Sequence, residues 1–190
     1  MSLLMAALHL KFTIINFNFM KIENIELYYL SMPEILDEAD GSQDALIVKV
    51  EAGGFIGWGE CEASPLTSIA NFICPKSHSA AQPIKDTILG SDLNNINDVK
   101  KIIHNVKQNS LMIAQTPHTF SGIEVAILDL LGKKNQTSIY DLIGYKKSNP
   151  KIAYASVLFG NSPDETLNIA KEMKEKKFRA VKFGWQNFGL

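Results

Sequence analysis

Three stretches inside Lys151–Leu190 decide the fold: Ile152-Ala-Tyr-Ala-Ser-Val-Leu-Phe159, Ser162-Pro163-Asp164-Glu165 and Arg179-Ala-Val-Lys-Phe-Gly-Trp185. They read strand, helix, strand. The first is a nearly continuous apolar run closed by Gly160, the pattern of a parallel strand covered on both faces. Ser162 is placed to cap a helix, Pro163 suits its first turn, and Glu165 completes a capping box. Leu167, Ala170 and Met173 recur at helical spacing, and Lys174, Lys176 and Lys177 crowd the far end, where cations complement the helix dipole. Such a unit closes with a right-handed crossover. In α/β barrels the C-terminal ends of strands carry chemistry, which singles out Lys182 between Val181 and Phe183. Its side chain points to the face opposite theirs. Inside a barrel it would be an acid, base or charge partner with a shifted pKa; at an open edge it would be an ordinary surface lysine.

Upstream, Ile22 to Cys61 reads as β structure. Ile25, Leu27 and Tyr29 alternate along one run, Leu46, Val48 and Val50 along the next, and Ala52-Gly53-Gly54 is a hairpin turn into Phe55-Ile-Gly-Trp-Gly-Glu60. The expectation is a three-stranded antiparallel meander. Between its first two strands, Ser31 to Asp44 is long for a connection and acidic, with Glu34, Asp37, Glu38, Asp40 and Asp44; such loops are either functional or disordered. A helical bundle is expected next. Ser77 to Gly90 holds one amphipathic helix, Ile96 to Val106 a second, and Thr116-Pro117 opens a third whose core, Ile123 to Leu131, should be buried almost all round. Ile139-Tyr-Asp-Leu-Ile143 adds a short turn stopped by Gly144. The polar Tyr145 to Pro150 is the best domain boundary.

The composition excludes several classes. The chain has 190 residues, 46% of them hydrophobic, enough for a sizeable core. A net charge of -1 leaves no electrostatic footprint for nucleic acid or an anionic membrane. Cys61 and Cys74 have no zinc-type spacing and read as buried thiols of a reducing, cytoplasmic compartment. Residues 1–19 are apolar but interrupted by His9, Lys11, Asn16 and Asn18, and fit neither a signal peptide nor a membrane span. Met20-Lys21-Ile22 opens the first strand, so residues 1–19 are expected to be an extension outside the fold.

Among chemically capable residues, His9, His78, His104 and His118 are not paired at metal-ligand spacing. Gly57-Trp-Gly59 is no dinucleotide fingerprint; its glycines fit close packing or a bulge. Glu60 and Glu62 suit salt bridges to the helical half better than catalysis.

Taken in order, Gly57-Trp-Gly-Glu60, Ser121-Gly-Ile-Glu-Val-Ala-Ile-Leu-Asp-Leu-Leu-Gly-Lys133, Ile139-Tyr-Asp-Leu-Ile-Gly144 and Ala180-Val-Lys182 resemble the mandelate racemase and muconate lactonizing enzyme group of the enolase superfamily, from Met20 to Phe188. The resemblance implies an α+β capping domain over residues 20–147 and, over residues 148–190, the truncated start of a (β/α)7β TIM-like barrel. It implies proton abstraction α to a carboxylate, with the enediolate stabilised on Mg2+ held by acidic residues of the third to fifth barrel strands. It gives the capping-domain loops, with Glu34, Asp37, Asp40, Ser64 and Pro65, a substrate-binding role, and Lys182 a role as charge partner or acid/base. No position of this sequence matches the metal ligands.

Two departures accompany the likeness. Racemase-like members carry Lys-x-Lys on the second barrel strand, whereas here Lys182-Phe183-Gly184 puts glycine where the base would stand. That favours one-face chemistry such as acid-sugar dehydration, with a base on a later strand. A whole barrel takes about 250 residues, and Lys151–Leu190 supplies two strands. The expectation is the N-terminal portion of a Mg2+-dependent racemase or dehydratase acting on a small carboxylate or acid sugar, inactive alone, that aggregates or forms homo-oligomers through exposed barrel edges. The alternative is a free-standing, non-catalytic capping domain with a binding or assembly role.

Overall fold

A computed structural model describes residues 19–34, 43–61, 64–147 and 149–184. The proposed extension therefore lies outside the described residues except for Phe19. Strands β1 (Ile22–Leu30), β2 (Ala45–Ala52) and β3 (Phe55–Cys61) form the expected antiparallel meander in the order β1-β2-β3. The cause is period-two alternation: Leu46, Val48, Val50 and Ala52 of β2 are buried while Ile47, Lys49 and Glu51 face the other way. Gly53 and Gly54 turn the hairpin at φ 55° and 79°, values that L side chains adopt at a cost.

Helices α1 (Pro65–Ile73), α2 (Ile84–Ile88), α3 (Ile96–Asn109), α4 (Thr116–Asn135) and α5 (Ile139–Leu142) follow. Helix α4 lies on the inner face of the sheet, burying Ile123, Ala126, Ile127, Leu130 and Leu131. Each of the isoleucines and leucines among them contributes about 1.5–3 kcal/mol by burial. The approach is close because glycines remove the side chains between: a Cβ on Gly57 would lie 1.9 Å from Ala126 O, and one on Gly59 2.0 Å from Gly122 O. Close packing, rather than a bulge, is what those glycines serve. Near its C-terminal end α4 also reaches the side of β3. Asp129 Oδ2 accepts from Trp58 N at 2.8 Å, and Lys133 Nζ donates to Ile56 O at 3.0 Å while paired to Asp129 at 2.6 Å.

After α5, strand β4 (Ala155–Leu158), helix α6 (Pro163–Glu175) and strand β5 (Val181–Gly184) make the strand–helix–strand unit, with β4 and β5 parallel and Ser156 opposite Lys182. Ser162 Oγ caps α6, accepting from Glu165 N at 3.2 Å; Glu165 reaches back to Asn161 N at 2.7 Å, one residue earlier than a capping box requires. The fold is thus a capping domain followed by the opening of a barrel.

Four expectations need correction. Helix α1 was not anticipated. The helix placed over Ser77 to Gly90 exists only from Ile84, because Pro83 disfavours helical backbone at Gln82; Ser77 to Ala81 forms a turn instead, with Ser77 N donating to Ala81 O at 3.0 Å. Helix α4 falls short of burial almost all round at one position of Ile123 to Leu131, Val125, which is 48% exposed. Strand β4 is short and open to solvent: Ser156 and Leu158 are exposed, and Ile152, expected within the strand, precedes it at 63% exposure. Both faces are not covered among the described residues. No described helix is long and apolar enough to cross a membrane.

Candidate functional site

The register places two loops at one end of the meander. Leu30 pairs with Ala45 and Leu46 with Cys61, so the connection leaving β1 and the segment leaving β3 emerge side by side. Glu34, on the first, is exposed; Asp37 and Asp40 lie outside the described residues. On the second, Ser64 is exposed and Pro65 is buried as the first residue of α1, where its fixed φ suits a helix start. Pro65 therefore acts as a helix starter and is not exposed to a ligand. Ser64 precedes the helix without a side-chain cap, but its carbonyl accepts from Ser68 N at 3.0 Å.

A feature not singled out from sequence closes the neck of the first loop. Asp44 Oδ2 accepts from the Tyr29 hydroxyl at 2.5 Å, and its Oδ1 accepts from Met32 N at 2.8 Å. The Tyr29 hydroxyl, followed by that N–H, holds the Asp44 carboxyl below its usual range, and the same bond pushes the Tyr29 phenol up. The two ends of the loop are thereby tied to each other and to β1. The period-two pattern marks Tyr29 only as a strand residue, and its pairing with Asp44 needs the register to be seen.

Lys182 lies exposed on β5 of the other sheet, with Phe183 stacked on Phe159 at 5.3 Å between ring centroids. Space is open where a Cβ on Gly184 would stand. The barrel interior that would desolvate Lys182 is not formed by the described residues. Glu60 is exposed and makes no ion pair among the described residues, and Glu62 lies outside them; the carboxylate that joins sheet and helix is Asp129, through a hydrogen bond from Trp58 N. His78, His104 and His118 are exposed; His78 Nδ1 accepts from Ala80 N at 3.3 Å. Cys61 is buried, its Sγ donating to Thr119 O at 3.2 Å, and burial pushes its thiol up to about 11. Cys74, half-buried, is also free.

Mg2+ requires oxygen ligands converging in near-octahedral geometry. Among the described residues no three His, Cys, Asp or Glu side chains converge, so these residues do not fit a Mg2+ site.

The chain is 52% identical to a predicted mandelate racemase from Rhodobacter sphaeroides whose crystal structure it matches with a TM-score of 0.82, over 87% of this chain and 42% of that one. It is 26% identical to a D-gluconate/D-galactonate dehydratase of Picrophilus torridus, over 85% of this chain and 40% of the relative, and 26% identical to an N-succinyl-L-Arg/Lys racemase of Bacillus cereus, over 86% and 44%. A mandelate racemase/muconate lactonizing protein from Paracoccus denitrificans, solved with magnesium, shares the fold at 20% identity and a TM-score of 0.59, over 88% of this chain and 43% of that one. The chain thus spans about two-fifths of the length of these relatives. With residues 36–144 matching the N-terminal domain shared by mandelate racemases and muconate lactonizing enzymes, the chain belongs to that family.

Proposed function

We propose that these residues form the substrate-capping half of a cytoplasmic, Mg2+-dependent enolase-superfamily enzyme that removes a proton α to the carboxylate of a hydroxy or sugar acid. The observation that carries this reading is the pair of loops leaving one end of the sheet, tied at the neck by Asp44, on a fold followed by the first βαβ unit of a barrel. In this reading the exposed Glu34 and Ser64 contact the non-reacting part of the substrate, and Asp44 and Tyr29 hold the loop that carries Glu34. Lys182 meets the substrate carboxylate as a charge partner. A metal bound by residues beyond the described ones would supply the positive charge that an enediolate requires. With Gly184 rather than a second lysine on β5, dehydration is favoured over racemisation. The likeness to a dehydratase supports this, while the equal likeness to a racemase supports only the shared first step.

The absence of converging carboxylates among the described residues favours a second reading for the polypeptide by itself, that of a non-catalytic capping domain. One experiment separates the two. The chain alone should show no saturable Mg2+ binding by calorimetry and no deuterium wash-in on a panel of sugar acids. Joined to the remaining barrel of the Rhodobacter relative, it should exchange deuterium on at least one acid, and Lys182→Ala should cost about 10²-fold or more. A folded, Mg2+-loaded chimera that exchanges nothing on the panel would sink the catalytic reading. Saturable binding by the chain alone would sink the division of labour.

A further inference from the structure

Among the described residues, five buried polar side chains lie along one seam between α1, the end of α3 and the first turns of α4. They are Ser68, Asn71, Ser110, Thr116 and Thr119, each no more than 6% exposed. Their hydrogen bonds can be followed donor by donor. The Thr119 hydroxyl donates to Ser68 Oγ at 3.2 Å, the Thr116 hydroxyl faces Ile113 O at 2.9 Å and Ser110 O at 3.0 Å, and the Ser110 hydroxyl donates to Gln82 O at 2.7 Å. Asn71 Nδ2 donates to Ala114 O at 2.7 Å and to Thr116 Oγ1 at 3.4 Å. Those bonds fix the orientation of the amide, because turned over it would set Oδ1 against a carbonyl oxygen.

One acceptor is left over. Asn71 Oδ1 is sealed from solvent and receives no hydrogen bond from a described residue. One donor is left over as well, since Ser68 Oγ enters the described bonds only as an acceptor, which leaves its own hydrogen unused. Ser68 and Asn71 stand three residues apart on the buried stripe of α1, so the spare donor and the spare acceptor share one side of the helix. A buried amide oxygen without a donor is costly, and native interiors supply one from protein or from internal water. The Thr116, Thr119 and Ser110 hydroxyls already have acceptors of their own. Both spare groups are neutral, which suits water and gives an ion no charge to pair with.

We propose that the capping domain holds one internal water between Ser68 Oγ and Asn71 Oδ1, accepting from the first and donating to the second. The water is a fixed part of the contact between α1 and α4. Because α1 begins directly after Ser64, it also belongs to what anchors that end of the β3 connection.

A crystal structure of the 190-residue chain that resolves ordered water tests this, together with magnetic relaxation dispersion of the water nuclei, which registers waters held inside a protein. One oxygen should lie within about 3.2 Å of both atoms. Asn71→Leu, similar in size and without a polar atom, should lose one long-lived water in solution. Asn135→Leu removes another amide that donates to a carbonyl, Leu131 O at 2.9 Å, from an exposed position and should lose none. Where Asn71→Leu fails to fold, Ser68→Ala takes away the other partner and should show the same loss. Ordered Ser68 and Asn71 with no density between them overturn the proposal, as does a direct bond from Ser68 to Asn71 Oδ1. A dispersion unchanged by the folded variants, or lowered equally by Asn135→Leu, overturns it too.

Discussion

Gly57, Gly59 and Gly122 are the residues on which helix and sheet meet backbone to backbone. A Cβ on Gly57 would fall inside the radius of Ala126 O, and one on Gly122 would meet Cys61 N and Sγ at 2.7 Å. Neither obstacle is the end of a flexible side chain, so α4 must shift as a body. Gly57→Ala should therefore lower stability by about 1–3 kcal/mol or more, whereas Gly184→Ala, with nothing within 4 Å, should be neutral within about 0.5 kcal/mol. Urea unfolding of both variants checks the contrast; equal losses would remove close packing as the explanation. The Gly-Trp-Gly motif was legible as a packing device because it lacked the marks of a nucleotide loop. Pro65 was not legible as a helix residue. The buried stripe of α1 is Pro65, Ser68, Asn71 and Phe72, half of it polar, so a search for apolar periodicity passes over it. Ser68 instead takes a hydrogen bond from Thr119 at 3.2 Å, and Asn71 donates to Ala114 O at 2.7 Å, partners visible only once α1 and α4 are packed.

Among the elements, the meander and the βαβ unit should behave differently. On the sheet, the Tyr28 hydroxyl and then Lys49 hold Glu26 below its ordinary value of 4.5, and Lys49 holds Glu51 below the same value. Glu51, ahead of Glu26, raises Lys49 above 10.5. Depressed carboxylates contribute stability that is present above about pH 4.5 and lost as pH falls through their lower folded values; the raised lysine contributes below 10.5 and loses its share as pH climbs through its folded value. Lys49→Met should therefore reduce the loss of stability between pH 6 and pH 3, read as the shift in urea midpoint over that interval. An unchanged shift would mean that the network acts no more strongly than scattered surface pairs. In the βαβ unit, β4 and β5 pair only with each other and expose Ser156, Leu158 and Lys182. Their amides should exchange with deuterium faster than those of Ile123 to Leu131, buried on the sheet. Equal protection in a monomer would show that the unit is covered in solution. Strands and the α6 cap were readable from alternation and from Ser162-Pro163, because those signals are local. The extent of β4 was not, because a run of apolar residues states what a strand would bury and not whether anything is there to bury it.

For the molecule as a whole, the order of motifs gave the family before any geometry was known, while the neck of the candidate site came only from register. Asp44 is one acidic residue among several in its loop; pairing Leu30 with Ala45 is what brings its carboxylate to Tyr29 and Met32. The two sheets also differ in how their sides are finished. Segment 90–93 lies against the start of β1, through Ile22 N to Ser91 O and Gly90 N to Ile22 O, both at 2.9 Å. On the far side, Asp129 and Lys133 occupy the backbone groups of Trp58 and Ile56 that a fourth strand would use. The carboxylate and the ammonium stand in for the carbonyl and the amide of a neighbour, and they do so from a helix, which cannot itself be extended sideways. The meander is consequently fixed at a width of three on that flank: a chain seeking to recruit β3 as a template would first have to break an ion pair and lift the end of α4 away.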